Sequence, residues 1–203
     1  MFELYIANKN YSSWSLRPWI LMTQLGIPFD ERLTPFATDN WETFRHFSPT
    51  GKVPCLVDKN TTVWDSLAIV DFLADRVGRE KFWPEDDAAR GMARSMAAEM
   101  HSSFANLRRE LPMNVRKSYA PRELSDGVKD DINRILQLWA QARARFGGTG
   151  DFLFGTWCAP DIMYAPVVTR FITYGVAVPP FAELYMKAVL SHPHVHEWID
   201  LAQ

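Results

Sequence analysis

Over the first 77 residues the spacing of apolar positions changes every few turns of chain, alternating between strand-like and helix-like patterns. Residues 2–7 form a short apolar run containing Tyr5 and Ile6, the pattern of a buried strand. Leu16, Trp19, Ile20 and Leu25 then recur at helical spacing across residues 15–25, with Gly26 as the stop signal. Pro18 is expected in the first turn of that helix, where the backbone has no intrahelical donor to lose. Residues 27–33 read as a second strand and 41–47 as a short helix. Residues 53–57 and 61–64 flank Asp58, Lys59 and Asn60, which predict a hairpin turn. Leu67, Ile69, Val70 and Leu73 mark an amphipathic helix over residues 66–77. The order β-α-β-α-β-β-α predicts a mixed sheet with helices on both faces.

From Gly78 to Asp87 the chain is rich in Gly, Pro and charge, as a linker would be. Strand signals then nearly vanish. Helical patterns run over residues 88–111, 121–146, 158–173, 179–190 and 194–202, and Gly147, Gly148 and Gly150 break the second from the third. The expected organisation is an α/β domain over 1–77, a linker over 78–86 and an all-helical domain over 87–203.

Charge and composition narrow the function classes. A net charge of −2 over 203 residues supplies no global field for nucleic acid or an anionic membrane. Arg108, Arg109, Arg116, Lys117 and Arg122 gather, but carboxylates interleave with them, as on a solvated helix face. No apolar stretch reaches the roughly 18 residues of a membrane span, and the N-terminus lacks the basic and apolar regions of a secretory signal. Cys55 and Cys158 stand far apart in no metal or redox spacing, which fits a reducing cytoplasm. His192, His194 and His196 alternate, a poor spacing for one helix face, so no metal site is expected there.

Four local motifs, in order, resemble those of one family. Asn10, Tyr11, Ser12, Ser13, Trp14, Ser15, Leu16 and Arg17 resemble the serine-bearing first loop of cytosolic glutathione transferases, closest to the zeta type. Lys52, Val53 and Pro54 resemble the proline loop before the third strand, and Asp65, Ser66, Leu67, Ala68 and Ile69 the acid-serine signature opening the third helix. Cys158, Ala159, Pro160 and Asp161 occupy the helix-capping position of the second half. The resemblance spans the whole chain. It implies an α/β thioredoxin-like N-terminal domain plus an all-α C-terminal domain, glutathione as co-substrate, and a cytoplasmic homodimer.

The chemistry can be weighed on these residues. A free thiol has a pKa of about 8.5, and lowering it to about 6.5 needs roughly 2.7 kcal/mol of preference for the thiolate. A helix N-terminus supplies only about 0.3–1 kcal/mol, up to about 2 when partly buried. A hydroxyl hydrogen bond to the charged sulfur, worth about 1.5–3 kcal/mol, closes the gap. The resemblance gives Ser12 the catalytic position, Ser13 its neighbour, and Arg17 the arginine inside the helix. Tyr5, where the tyrosine-using classes keep their hydroxyl, and Tyr11 remain alternatives, and the serines could also only cap a helix. Trp14 departs from the zeta cysteine; it could wall an aromatic-substrate pocket or anchor the loop.

The resemblance further implies a cis bond before Pro54, main-chain pairing of glutathione at Val53, and Lys52 at its glycyl carboxylate. Asp65 would pair with the γ-glutamyl ammonium, and Ser66, at a helix start, would receive the neighbouring carboxylate. Cys158 and Asp161 read as structural capping residues, and Cys55 as strand packing. His101, Phe104 and Arg108, with Met113, are expected to project from the first helix of the second half toward the acceptor substrate. The expected activity is conjugation of glutathione to small, electrophilic, aromatic-leaning substrates. Glutathione-dependent cis–trans isomerisation of a maleyl compound, and a non-catalytic binding role, are the rival expectations.

Overall fold

Alternate burial along the first strand sets the layers of the computed structural model, which describes residues 1–202. In β1 (Phe2–Ile6) Leu4 and Ile6 are fully buried, while Tyr5 faces the other side and stacks on Phe47 at 4.3 Å. This is the period of two that a pleated strand imposes. β1 pairs in parallel with β2 (Phe29–Leu33) and antiparallel with β3 (Cys55–Asp58), which pairs antiparallel with β4 (Thr61–Val63). The sheet order β2-β1-β3-β4 is the expected mixed sheet. Asp58 opposes Thr61 across a two-residue hairpin in which Lys59 takes a φ of 54°, as tight hairpin turns demand.

Between the strands run α1 (Ser13–Gln24) and α2 (Asn40–Arg45), and α3 (Ser66–Val77) follows β4. One local expectation is corrected. The first helix starts at Ser13, not at residue 15, so Pro18 lies inside it rather than in its first turn. The carbonyl of Trp14 therefore lacks its usual helical donor. α1 tolerates this because it packs against α3, α7 and α9 and is buried along most of its length.

The joining segment is not a loose tether. It contains a single 3-10 turn, Arg79–Lys81, after which Phe82 and Trp83 are buried in the core. The carbonyl of Phe82 accepts the N–H of Ala159 at 2.8 Å, tying this segment to the helical half.

That half comprises α4 (Asp87–Ser102), α5 (Ala105–Glu110), α6 (Asp126–Ala142), α7 (Ala159–Thr173), α8 (Pro180–Ser191) and α9 (Pro193–Asp200). The single helix expected over 88–111 is two. Phe104 adopts a left-handed φ of 61° between α4 and α5, and its ring goes into the core. The Arg108 guanidinium donates to the Ser103 and Met100 carbonyls, satisfying the broken end of α4. α6 starts later than residue 121, where Ser125 caps it by accepting from Val128 N–H, and it ends in a π-type turn, Arg143–Gly147.

α7 is the buried axle of the domain. Asp161 accepts from Cys158 N–H at 2.9 Å and from Leu153 N–H at 3.2 Å, so the capping box at its start is built. No helix among the described residues is long and apolar enough to cross a membrane.

Candidate functional site

The loop after β1 turns sharply because the Asn8 carbonyl accepts from both Tyr11 N–H (3.0 Å) and Ser12 N–H (2.9 Å). This brings Ser12 and Ser13 to the mouth of α1, both buried. Ser12 Oγ donates to Ser15 Oγ at 2.7 Å, and Ser15 Oγ accepts from Ala7 N–H at 3.3 Å. Ser13 Oγ accepts from the Arg170 guanidinium at 3.2 Å. The two serines therefore differ in hydrogen bonding, although they are neighbours in sequence.

In front of this mouth lies a cleft with two adjoining lobes, each of about 330 Å³, that share Trp14, Lys52 and Val53. One lobe holds Pro54, Asp65, Ser66 and His101, with Thr50 and Trp64. The other holds Ser12 and Ser13 with Tyr11, Phe36 and Phe44. Ser12, Ser13, Trp14, Lys52, Val53, Pro54, Asp65 and Ser66 thus all line these two adjoining lobes, to which His101 alone comes from the helical half. The Val53–Pro54 peptide is cis, and so is Trp64–Asp65. Gly51 holds the loop before Lys52 with a φ of 64°, and a Cβ there would clash with the Trp41 ring.

The polar groups of the first lobe carry the chemistry. Ser66 is the first residue of α3 and is fully buried, yet its Oγ has no hydrogen-bond partner among the described residues. Such an atom costs about 1–3 kcal/mol if left unsatisfied. Beside it, Asp65 Oδ2 meets His101 Nε2 at 3.0 Å. His101 Nδ1 is a second buried polar atom of this wall without a partner among the described residues. His101 also meets the Trp14 ring edge-on, with centroids 5.3 Å apart. The lobe can accommodate an anionic group at a helix N-terminus and a cationic one at a carboxylate.

Other candidates fall elsewhere. Tyr5 donates its hydroxyl to Glu3 at 3.1 Å and lines neither lobe. Tyr11 is 53% exposed at the rim. Phe104 and Met113, expected to face the cleft, are instead buried core residues, because the helix breaks before Phe104 and turns its ring inward. Arg108 lies beside the cleft, 5.4 Å from the centre of the Trp14 ring, but spends donors on backbone carbonyls. Burial pushes the Cys55 thiol up to about 11 and the Cys158 thiol well above its ordinary range, so neither is a ready nucleophile.

Sequence reading missed Thr50, Trp64, Phe36 and Phe44 as wall residues, and Arg170 as a partner of Ser13. Phe36 carried a local signal, an aromatic in the loop after the second strand, whereas Trp64 reads in the sequence as the end of a strand. Nothing local marks Arg170, which sits in the last turn of an otherwise apolar helix.

Residues 11–76 match the family model described as the glutathione S-transferase N-terminal domain. Over 204 aligned residues the chain is 22% identical to the glutathione S-transferase-like protein OpS6 of Beauveria bassiana, covering 97% of this chain and 88% of that protein. It is 22% identical over 176 residues to glutathione S-transferase GstB of Escherichia coli, with 85% of each chain covered. A solved glutathione transferase homolog from Burkholderia, with bound glutathione, superposes with a TM-score of 0.76 at 20% identity, covering 99% of this chain and 97% of that one. The shared fold runs through both halves.

Proposed function

We propose that this chain belongs to the glutathione transferase family, whose N-terminal domain model matches residues 11–76, and that it binds glutathione in the two-lobed cleft and conjugates it to small electrophiles. The observation that carries this reading is the buried Ser66 hydroxyl at the start of α3, without a partner among the described residues and next to the Asp65 carboxylate. The γ-glutamyl end of glutathione bears a carboxylate and an ammonium on one carbon, and it satisfies both. Ser66 Oγ and the first N–H groups of α3 donate to the carboxylate, aided by the helix dipole. Asp65, already drawn to His101, accepts from the ammonium. The Val53 main chain pairs with the cysteinyl backbone, Pro54 shapes that edge, and Lys52 answers the glycyl carboxylate.

Glutathione supplies the thiolate nucleophile. Its sulfur bonds to an electrophilic carbon, the leaving group departs with the bonding electrons, and the thiol proton goes to solvent. The protein favours the ionised sulfur with a serine hydroxyl at the mouth of α1 and with the helix N-terminus. Trp14 walls the reacting region, and His101 and Arg108 flank the acceptor substrate beside it. A cytoplasmic homodimer acting in detoxification belongs to the same proposal.

Calorimetric titration with glutathione, followed by turnover of an aromatic halide as model electrophile, tests this. Micromolar-to-millimolar binding with measurable conjugation is expected. No binding of glutathione would sink the reading, and binding without turnover on a panel of halides would leave only a ligand-binding role.

A further inference from the structure

Behind the serine loop the protein gathers three guanidinium groups. Arg17 of α1 is 1% exposed and Arg170 of α7 is 4% exposed, with Arg108 of α5 half-buried beside them. Arg17 donates to the Met163 carbonyl at 3.1 and 2.9 Å and to the Ser13 carbonyl at 3.0 Å. Arg170 donates to the Leu111 and Pro166 carbonyls at 2.9 and 3.1 Å and to Ser13 Oγ at 3.2 Å. None of the three takes part in an ion pair among the described residues.

Collecting buried cations without anions is costly, because low dielectric strengthens their repulsion. Burial first, then Arg170 and Arg108, hold Arg17 well below the ordinary arginine range, and burial and Arg108 hold Arg170 at about 10. The other titratable groups facing the cluster are Tyr164 and Tyr174, with Asp131 of α6 acting on Arg108. Negative charge arriving in the cleft would relieve this repulsion, and Ser13 stands between the cluster and the cleft.

The hydroxyl geometry separates the two serines. Ser12 spends its proton on Ser15. Ser13 has a lone pair taken by Arg170, so its own proton remains free to point into the cleft.

We infer that Ser13, oriented by Arg170 from the other half of the chain, is the hydroxyl that donates to the glutathione sulfur, with Arg17, Arg108 and Arg170 as its cationic backing. Arg170 is a positioning residue: it acts through Ser13 and touches no substrate. The inference rests on the glutathione-binding reading above and names the group that serves it. It also ties thiol activation to correct docking of the two halves, since Ser13 and Arg170 stand 157 residues apart.

The test is a pH titration of thiolate absorbance in the glutathione complex, run after calorimetry has established binding to the wild-type protein. Absence of that binding would remove the underlying reading itself. Given binding, Ser13→Ala and Arg170→Met should each raise the bound thiol's pKa by about one unit, with conjugation near neutral pH falling about tenfold and recovering at higher pH. Ser12→Ala should shift the pKa less than Ser13→Ala. Arg170→Lys, which keeps the charge, should recover part of the shift. A merely structural role for Arg170 would lower thermal stability and leave the pKa in place. A larger shift for Ser12→Ala than for Ser13→Ala overturns the assignment of Ser13. A wild-type pKa in folded Arg170→Met overturns the role of Arg170. If Arg170→Met does not fold, Arg108→Met, changed at a half-buried site, tests the cationic backing by the same titration, and an unmoved pKa counts against it.

Discussion

The indole N–H of Trp198, in α9, donates to the carbonyl of Lys9 at 2.9 Å, and the Lys9 ammonium lies 5.3 Å from the centre of the same indole. Lys9 also pairs with Glu31 and lies 5.4 Å from the Trp19 ring, and Trp19 N–H donates to Glu31 at 2.6 Å. The last helix is thereby stitched to the loop that leads into Ser12 and Ser13. A buried lysine is expensive unless it is paired, and here a carboxylate and two aromatic faces surround it.

Trp198→Ala is therefore expected to cost about 3–5 kcal/mol, combining a lost aromatic core residue with an unsatisfied Lys9 carbonyl. Urea denaturation checks this. A loss under about 1 kcal/mol would mean that α9 contributes little to holding the halves together.

His192 gives a pH signature. It stacks on Trp157 with centroids 3.9 Å apart, and burial, then the neighbouring His194, push its pKa from about 6.5 down to about 4. The folded protein then binds fewer protons here than the unfolded chain does between those values. The stability this neutral ring contributes is present above pH 6.5 and is lost as pH falls toward 4. Asp161 pulls the other way, because burial raises its carboxyl to about 6, so the comparison must be with a variant. Stability of His192→Gln should fall less steeply than wild type across that window. Parallel curves would rule out His192 as the source.

Ser66→Ala separates ligand binding from structure by sign. Ser66 Oγ has no partner among the described residues, so its removal should leave ligand-free stability unchanged or raise it by up to about 1 kcal/mol. Glutathione affinity should fall about tenfold or more, as for a lost hydrogen bond to a charged group. Asp65→Ala, at a half-exposed carboxylate, should likewise weaken binding without unfolding the protein. Lower thermal stability of Ser66→Ala with unchanged affinity would reverse the assignment.

Gly51→Ala should strain the loop that presents Lys52. Its φ of 64° costs an L-residue about 1–2 kcal/mol, and the new Cβ would clash with the Trp41 ring. A destabilised protein whose exposed Trp41 changes fluorescence is expected; a silent substitution would mean that the loop relaxes freely.

What the sequence determined by itself was local. α3 (Ser66–Val77) was readable because its apolar spacing, its start at Ser66 and its stop at Gly78 lie within one short segment. The β3–β4 hairpin was readable because a two-residue turn leaves few backbone choices. The cleft residues Ser12, Ser13, Lys52, Val53, Asp65 and Ser66 were named as motifs, since loop and helix-start chemistry is written in adjacent positions. The tertiary structure decided the rest. Periodicity ran through Phe104 unbroken, because neither glycine nor proline marks that break and a guanidinium four residues on satisfies the freed carbonyls. Which serine receives a guanidinium from the other half depended on the placement of Arg170, and which helix seals the serine loop depended on Trp198. Hydrogen bonds and burial act through space at a few ångströms, whereas spacing in the sequence records only the neighbours that one element can hold.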